Sequence, residues 1–454
     1  MRQEKFDYIV WAVLAGLSLA LGAVIIAGDQ VGARIVRTFP NDGGQLGSDG
    51  RIGIQFAQPM QVTTVEPFFT LDPPTAGHIE WEGQQAWFIP DHPLQPGVRY
   101  TAMLRAGGLS QGGLQMKRDT TWRFTTREVR IVYLAFENGR RGLWRVGSNS
   151  GKPEQLAGQT GDIYDFAVSA DGQQIVYSSS NGQKGVDLWL IPGPEQAQQL
   201  LVDCGPDTCG NPAWSPDDKL ISYSRAPAGL TPSQPSGMPR VWTMTPSDSR
   251  TTPLSPDPQV LGSHASWSPD GRQLAYYDQS VSGLRITNMG THQETVLHTF
   301  GPTLPTWSPD SQHLMFNQLI VSGGQAISAL ALADLATQNL ITVSVRGQES
   351  AVLSAPAWSP TGEWVLVGLK RTASDPSNQL MLIRPDGDSG RLLTTDEAYS
   401  QCCYQWDPWG QAIVFQRIQI GPVSGTTPEI MVWSATTGQT REVVKNGFSP
   451  AWQP

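Results

Sequence analysis

Four cysteines and six histidines give this chain its widest chemical range, and their spacing limits what each can do. Cys204-Gly-Pro-Asp-Thr-Cys209 sets two thiols around a Gly-Pro turn, which suits a local disulfide in an oxidising compartment. A zinc site would need two further ligands at metal spacing, and none stands nearby. Cys402 and Cys403 are adjacent, so they either form a strained vicinal disulfide, stay as thiols, or pair with the first two across the fold. His78, His92, His264, His292, His298 and His313 are scattered with no pair at ligand spacing, and each reads as a surface or turn residue. Asp386-Gly-Asp388-Ser-Gly390 brings two carboxylates together but lacks the spacing of a calcium loop and falls where a hairpin turn is expected. Gly-x-Ser-x-Gly elbows, P-loops and His-Glu-x-x-His pairs are missing from the sequence. The expectation is a protein with no catalytic residues, no metal and no cofactor.

What must position these residues is a repeat. Its clearest copy is Ala265-Ser-Trp-Ser-Pro-Asp-Gly-Arg-Gln-Leu-Ala-Tyr276, a short strand, a turn and a second strand. Related copies centre on Trp214, Trp307, Trp358 and Trp406; a weaker one is Phe166-Ala-Val-Ser-Ala-Asp-Gly172, and a truncated one is Pro450-Ala-Trp-Gln-Pro454. Aligned positions Val168, Trp214, Trp267, Trp307, Trp358, Trp406 and Trp452 lie 46, 53, 40, 51, 48 and 46 residues apart. A strand-built period in the forties is the signature of propeller blades. Ser268-Pro269-Asp270-Gly271 supplies a hydrogen-bonding side chain, a fixed φ and a residue free to take φ > 0, which is a hairpin corner. Ser311, Thr361 and Trp409 depart from that pattern without erasing it. The Trp before each corner is expected to fill the wedge between blades rather than stack on a ligand.

Composition sets outer limits. With 454 residues the chain suits two or three domains. Charged residues make up 16% of it, while Gly (47) and Pro (35) are plentiful, which favours turn-rich β structure. A net charge of -9 leaves no basic stripe for phosphate contacts, so no nucleic-acid partner is expected.

Residues 1–7 form a short tail, followed by an uncharged apolar run from Tyr8 to Gly28 that is long enough to span a bilayer. The rival reading is a cleaved signal peptide, but the run exceeds a signal core, and only Ala20-Leu-Gly22 and Val31-Gly-Ala33 offer weak cleavage sites. Arg2 and Lys5 nearly balance Arg34 and Arg37, and the short tail favours the N-terminus inside and the body outside. The expected location is the cell membrane, single-pass, with the body extracytoplasmic.

Residues 33–127 show no trace of the repeat and carry alternating strands at Arg51–Phe56, Gln85–Ile89, Val98–Leu104 and Thr120–Thr126. The order Phe39-Pro-Asn-Asp-Gly43, Phe56-Ala-Gln-Pro-Met60, Phe88-Ile-Pro90, Leu94-Gln-Pro-Gly97, Tyr100-Thr101 and Trp122-Arg-Phe-Thr-Thr126 resembles the bacterial Ig-like domains of surface and S-layer proteins. That resemblance implies a β-sandwich used as a spacer or adhesive unit. Residues 130–454 resemble the WD40-like repeats of TolB-type periplasmic propellers, through the Trp-Ser-Pro-Asp-Gly corners and third strands such as Gly185-Val-Asp-Leu-Trp-Leu190, Gln379-Leu-Met-Leu-Ile383 and Glu429-Ile-Met-Val-Trp433. The whole is therefore expected to be all-β behind an N-terminal transmembrane helix.

Blade count follows from phase. Ile131–Phe136, Gly142–Val146 and Pro153–Leu156 read as second, third and fourth strands without a first, and Pro450-Ala-Trp452 as a first strand without a blade. Joining them gives seven blades with a split closing blade; the relatives have six, which stays as the alternative.

Three functions compete on these grounds. The leading one is a non-catalytic membrane-anchored scaffold that binds an envelope protein, with the loops at Cys204, Asp207 and Asn211 and at Ser400, Cys402 and Cys403 on the binding face. A sensor or lectin-like binder of a small ligand, peptide or glycan is the alternative, and a propeller hydrolase or lyase the third. Partner identity and oligomeric state are not encoded in any motif.

Overall fold

Short alternating strands cut by Gly and Pro bury an apolar face only by stacking sheet on sheet, and both units of this chain do so. The computed structural model describes residues 11, 13–19, 32–47, 51–148, 151–193, 196–229, 234–299, 303–322, 325–348, 351–421 and 427–454, without the side chains of 320–322 and 325–327. It divides into Met1–Arg127 and Glu128–Pro454. Trp11 and residues 13–19 are helical. The rest of the 8–28 span lies outside the described residues, and among those described no helix is long and apolar enough to cross a membrane.

Within the first unit, Ile35–Phe39, Ile52–Phe56, Gln85–Pro90 and Gly77–Glu82 form one sheet, in that spatial order. Gly44–Leu46, Thr120–Thr126, Arg99–Leu104 and Phe69–Asp72 form the other. Ile52, Ile54 and Phe56 meet Tyr100, Ala102, Leu104, Trp122 and Phe124 in one shared core. Gly53 is required by close packing, since a Cβ there would sit 2.3 Å from the Trp87 ring.

The second unit is a β-propeller. Its described residues form seven four-stranded antiparallel sheets, two of which also share one parallel bridge, Val186↔Thr208. The inner strands are Ile163–Val168, Thr208–Trp214, Gly262–Trp267, Thr306–Trp307, Val352–Trp358, Tyr399–Trp406 and Gly447–Gln453. They touch one another in cyclic order, the last packing against the first. Gly447–Gln453 completes the sheet begun by Arg130–Glu137, Arg140–Gly147 and Glu154–Ala157, with Trp452 paired to Ile131. Three second strands are apolar without alternation, as Leu314-Met-Phe316, Val365-Leu-Val367 and Ile413-Val-Phe415 are all fully buried. Each is covered on both faces by neighbouring sheets, which removes the need for a polar side.

Candidate interaction face

Every inner strand has two ends of different character. At the corner end, Ser268 Oγ donates to Asp270 (2.6 Å) and accepts from Gln273 N (2.9 Å), while Gly271 N closes the turn on Ser268 O (2.9 Å) at φ +69. Ser169, Ser215 and Ser308 repeat this pattern with Asp171, Asp217 and Asp310. The fourth turn position is left-handed in six corners: Gly172, Asp218, Gly271, Ser311, Gly362 and Gly410. Two of these lack glycine's freedom, and each puts its side chain to use. Asp218 accepts from Ala170 N (2.8 Å) and Asp171 N (3.1 Å), and Ser311 Oγ accepts from Asp270 N (3.1 Å), so both tie their corner to the preceding one. Burial pushes the Asp218 carboxyl up to about 6 although those two N–H groups pull the other way. Asp407, which replaces the corner serine, is likewise pushed up to about 6 by burial.

The repeat tryptophans staple sheet to sheet. Trp214 Nε1 donates to Ala167 O, Trp267 to Ala213 O, Trp307 to Ser266 O, Trp406 to Ala357 O and Trp452 to Gln405 O, all at 3.0–3.2 Å. Their rings are buried in the wedge between neighbouring sheets, and a bonded indole there has no desolvated donor left over. Trp358 Nε1 is the exception: among the described residues it finds no acceptor, and the inner strand before it is only Thr306–Trp307.

The other end, where each inner strand enters, carries a device that sequence patterning missed. Three positions before the tryptophan, Asn211, His264, Ala355, Cys403 and Ser449 are left-handed, at φ +48 to +55. Each marks a bulge that shifts the register of its strand. Side chains of the preceding sheet cap four of the freed N–H groups: Asp165 for Asn211 (2.7 Å), Ser224 for His264 (3.2 Å), Asn317 for Ala355 (2.9 Å) and Gln416 for Ser449 (3.1 Å). No glycine marks these positions, and the caps come from distant residues, which is why the pattern stays hidden in the sequence.

The singled-out residues divide accordingly. Cys204 and Cys209 form a disulfide with Cα atoms 6.3 Å apart, both fully buried. Asp207 is held by Arg225 Nε (2.8 Å) and Ala228 N (3.0 Å), and Asn211 lies against Asp165. Ser400, Cys402 and Cys403 are not a loop: they belong to the inner strand Tyr399–Trp406, which the bulge lengthens. Asn211 likewise lies inside Thr208–Trp214. Asp386 to Gly390 is a hairpin turn, in which Asp388 N donates to Asp386 Oδ1 (3.0 Å) and Gly387 takes φ +79. His313 lies near Asp310 and Asp334, His78 near Glu80 and Asp91. Among the described residues no three His, Cys, Asp or Glu side chains gather as a metal site.

Among the described residues of the propeller, Phe136, Tyr164, Met238, Leu304, Leu319 and Ile418 are exposed at the entry end, and Leu200, Leu340, Ile341 and Leu392 on the outer strands. Phe136 packs on Phe448 (5.4 Å between ring centroids), and the Arg141 guanidinium covers the Tyr164 ring at 4.3 Å. Met238, Leu304, Leu319 and Ile418 stand exposed on the same end of their sheets. Connections between second and third strands also vary there, from Asn138-Gly139 to the thirteen residues 227–239. At the corner end the register is constant: Val168, Trp214, Trp267, Trp307, Trp358 and Trp406 each pair with the residue seven positions on.

Residues 29–126 match the bacterial Ig-like domain family. A stretch of 54 residues is 43% identical to the Tol-Pal system protein TolB of Alcanivorax borkumensis, covering 11% of this chain and 12% of that protein. The β-propeller domain of the Trilobed protease from Pyrococcus furiosus matches with a TM-score of 0.50 at 10% identity, over 71% of this chain and 96% of that one. A puromycin-hydrolyzing peptidase of Mycobacterium tuberculosis gives 0.52 at 13% identity, over 70% of this chain and 54% of that one. At such identities the structural likeness is one of fold. Residues 29–126 thus match a bacterial Ig-like domain, and the second unit shares the β-propeller fold of these structures.

Proposed function

We propose that this chain is a membrane-anchored, extracytoplasmic interaction module of the cell envelope, in which a seven-bladed propeller offers its entry end to a protein partner and performs no chemistry. The observation that carries this reading is the asymmetry of the inner strands: corner ends are spent on turns and inter-sheet ties, while entry ends expose Phe136, Tyr164, Leu304 and Ile418 beside connections of unequal length. Apolar and aromatic groups collected on one face are what a protein interface uses at its centre. A TolB-like stretch and an Ig-like spacer favour the envelope as the setting. The exposed Trp11, Val13, Leu14, Leu17 and Leu19 of the described N-terminal helical turns favour a lipid anchor.

The test is capture from envelope extracts by the immobilised body, comparing the natural sequence with Phe136→Ser/Tyr164→Ser/Leu304→Ser. Loss of a discrete partner with an unchanged melting curve supports the reading; equal capture by both removes it. Protease treatment of intact spheroplasts checks the anchor, with the body digested and the span spared as the expected outcome. A second reading, binding of a small ligand at the inner ring, is favoured by exposed His264 beside Ser263 (3.0 Å) and by nearby Asn211 and Asp165. Turnover of a peptide, glycan or ester by rigorously purified protein would displace both.

A further inference from the structure

We propose that Cys402 and Cys403 form a thiol–disulfide exchange site on the inner ring of the propeller, taking an accessible disulfide as substrate and holding the oxidation as a bond between adjacent residues. Their sulfurs lie 2.9 Å apart. Both are free thiols, Cys402 half-buried and Cys403 exposed. Cys403 occupies the left-handed bulge position, and its counterparts on the two neighbouring inner strands are Ala355 and Ser449. Those small side chains leave the Cys403 sulfur open to an approaching reagent. The residues on both sides are pinned: Gln401 O accepts from Asn378 Nδ2 (2.7 Å), and the single Tyr404 O–H is shared between Ser354 O (2.9 Å) and Ala355 O (2.5 Å). The pair is therefore presented in one arrangement instead of drifting with a loop.

Two features give this pair exchange chemistry rather than a structural role. Adjacent Cα atoms sit about 3.8 Å apart, below the roughly 4.4–6.8 Å of ordinary disulfides, so a bond between these neighbours is strained and easily reduced. Strained, exposed disulfides are the labile ones. The Cys204–Cys209 bridge is the opposite case, buried and at an ordinary Cα separation of 6.3 Å. Exposure also assigns the roles: Cys403 is exposed and Cys402 half-buried, so the Cys403 sulfur meets an incoming disulfide first, and its contact with the neighbouring sulfur lowers its thiol from the usual range.

The Cys403 thiolate attacks one sulfur of the incoming R–S–S–R; that bond breaks as Cys403–S–S–R forms, and RS⁻ departs. Cys402 then gives up its proton and attacks the Cys403 sulfur, the mixed disulfide breaks, and the second RS⁻ departs. Both leaving thiolates take up the protons released by the cysteines. One external disulfide is reduced to two thiols, and two protein thiols are oxidised to one vicinal disulfide.

The experiment uses full-length protein reduced with dithiothreitol under native conditions, freed of it, and mixed with a large excess of oxidised glutathione or, separately, of insulin, so that mass action drives formation of the strained bond. Alkylation and mass spectrometry then read the peptide containing residues 402–403. The expected result is release of about two small thiols per chain and a peptide lighter by about 2 Da, as an intramolecular bond requires. Cys402→Ser should stop at a stable mixed disulfide on Cys403, and Cys403→Ser should react about tenfold more slowly. Reaction with glutathione alone assigns a small disulfide as substrate, and reaction with insulin assigns a protein disulfide. Inertness toward both probes, equal rates in the two variants, or a natural-sequence chain that halts at the mixed disulfide would overturn the proposal. The thiol release is read on the unaltered chain, so the result does not hang on either variant folding.

Discussion

The two ends of the propeller's inner strands answer different demands. At the corner end, Ser-Pro-Asp-Gly turns and tryptophan staples solve one mechanical problem repeatedly, and the same residue types recur because the geometry is the same each time. At the entry end, a common backbone bulge is filled by Asn211, His264, Ala355, Cys403 and Ser449, five different residues on one geometry. Where chemistry repeats, the side chain serves the fold; where backbone repeats and chemistry does not, the side chain is free for something else. That contrast teaches where to look in a propeller whose motifs name no reaction.

The sharpest way to break the contrast is to remove the strand that belongs to both ends. Deleting residues 446–454 takes away the partner of Arg130–Glu137, the Trp452 bonds to Gln405 and the Gln453 bond to Gly172 O (2.8 Å). Two sheet edges are then unpaired. Calorimetry should show the cooperative transition of the repeat unit lost, and a variant melting like the full chain would mean that the ring does not depend on this strand.

Next in size is a single staple. Trp267→Ala empties a buried wedge and should cost about 3–5 kcal/mol by urea unfolding. Trp267→Phe keeps most of the volume and strands Ala213 O, so about 1 kcal/mol is expected. Equal losses in the two variants would assign the staple to its hydrogen bond alone.

A smaller effect belongs to the corner carboxylates. Asp218 and Asp407 have pKa values of about 6 in the folded chain against an ordinary 3.8, so each binds its proton more tightly when folded. The stability this adds is fully present below about pH 3.8 and is lost as the pH rises through about 6. Asp217 and Asp310, where burial is outweighed by Ser215 and Ser308 and by turn N–H groups, are shifted the other way and titrate below this window. Urea midpoints should therefore be higher at pH 5 than at pH 7.5, and Asp218→Asn should flatten that difference. A steeper slope in the variant would show that the N–H groups of Ala170 and Asp171, and not burial, govern this site.

The smallest change in stability is expected where the greatest change in binding is proposed. Leu304→Ser and Tyr164→Ser remove exposed side chains and should shift stability by no more than about 0.5 kcal/mol. Losses comparable to that of Trp267→Ala would show that the entry end is structural after all.

The sequence carried the corners and staples openly, because a β-turn is written in four consecutive residues and a wedge-filling Trp recurs at a fixed distance from it. It also announced the completion of the first sheet from the C-terminal side, through a strand pattern out of phase at both ends. The bulges were illegible: their left-handed residues are not glycines, and their caps, such as Asn317 for Ala355, sit in another sheet. Ser311 looks like a weakened corner in the sequence, yet it adds a bond to the corner before it, as Asp218 does. In the sandwich, Ile35–Phe39, Gly44–Leu46, Phe69–Asp72 and Gly77–Glu82 escaped notice because short edge strands with exposed residues lack a clean alternation.

Pairing of Gly447–Gln453 with Arg130–Glu137 also sets a clock. Asn446 and Phe136, bonded in the finished ring, are 310 residues apart in the chain. At synthesis rates of about 5–20 residues per second, the second residue emerges roughly 15 to 60 s after the first. Through that interval the edge of Arg130–Glu137 that Gly447–Gln453 will cover has no partner, while each later sheet forms from consecutive strands. A chain lacking Gly447–Gln453 keeps that edge open, however well its other sheets have formed.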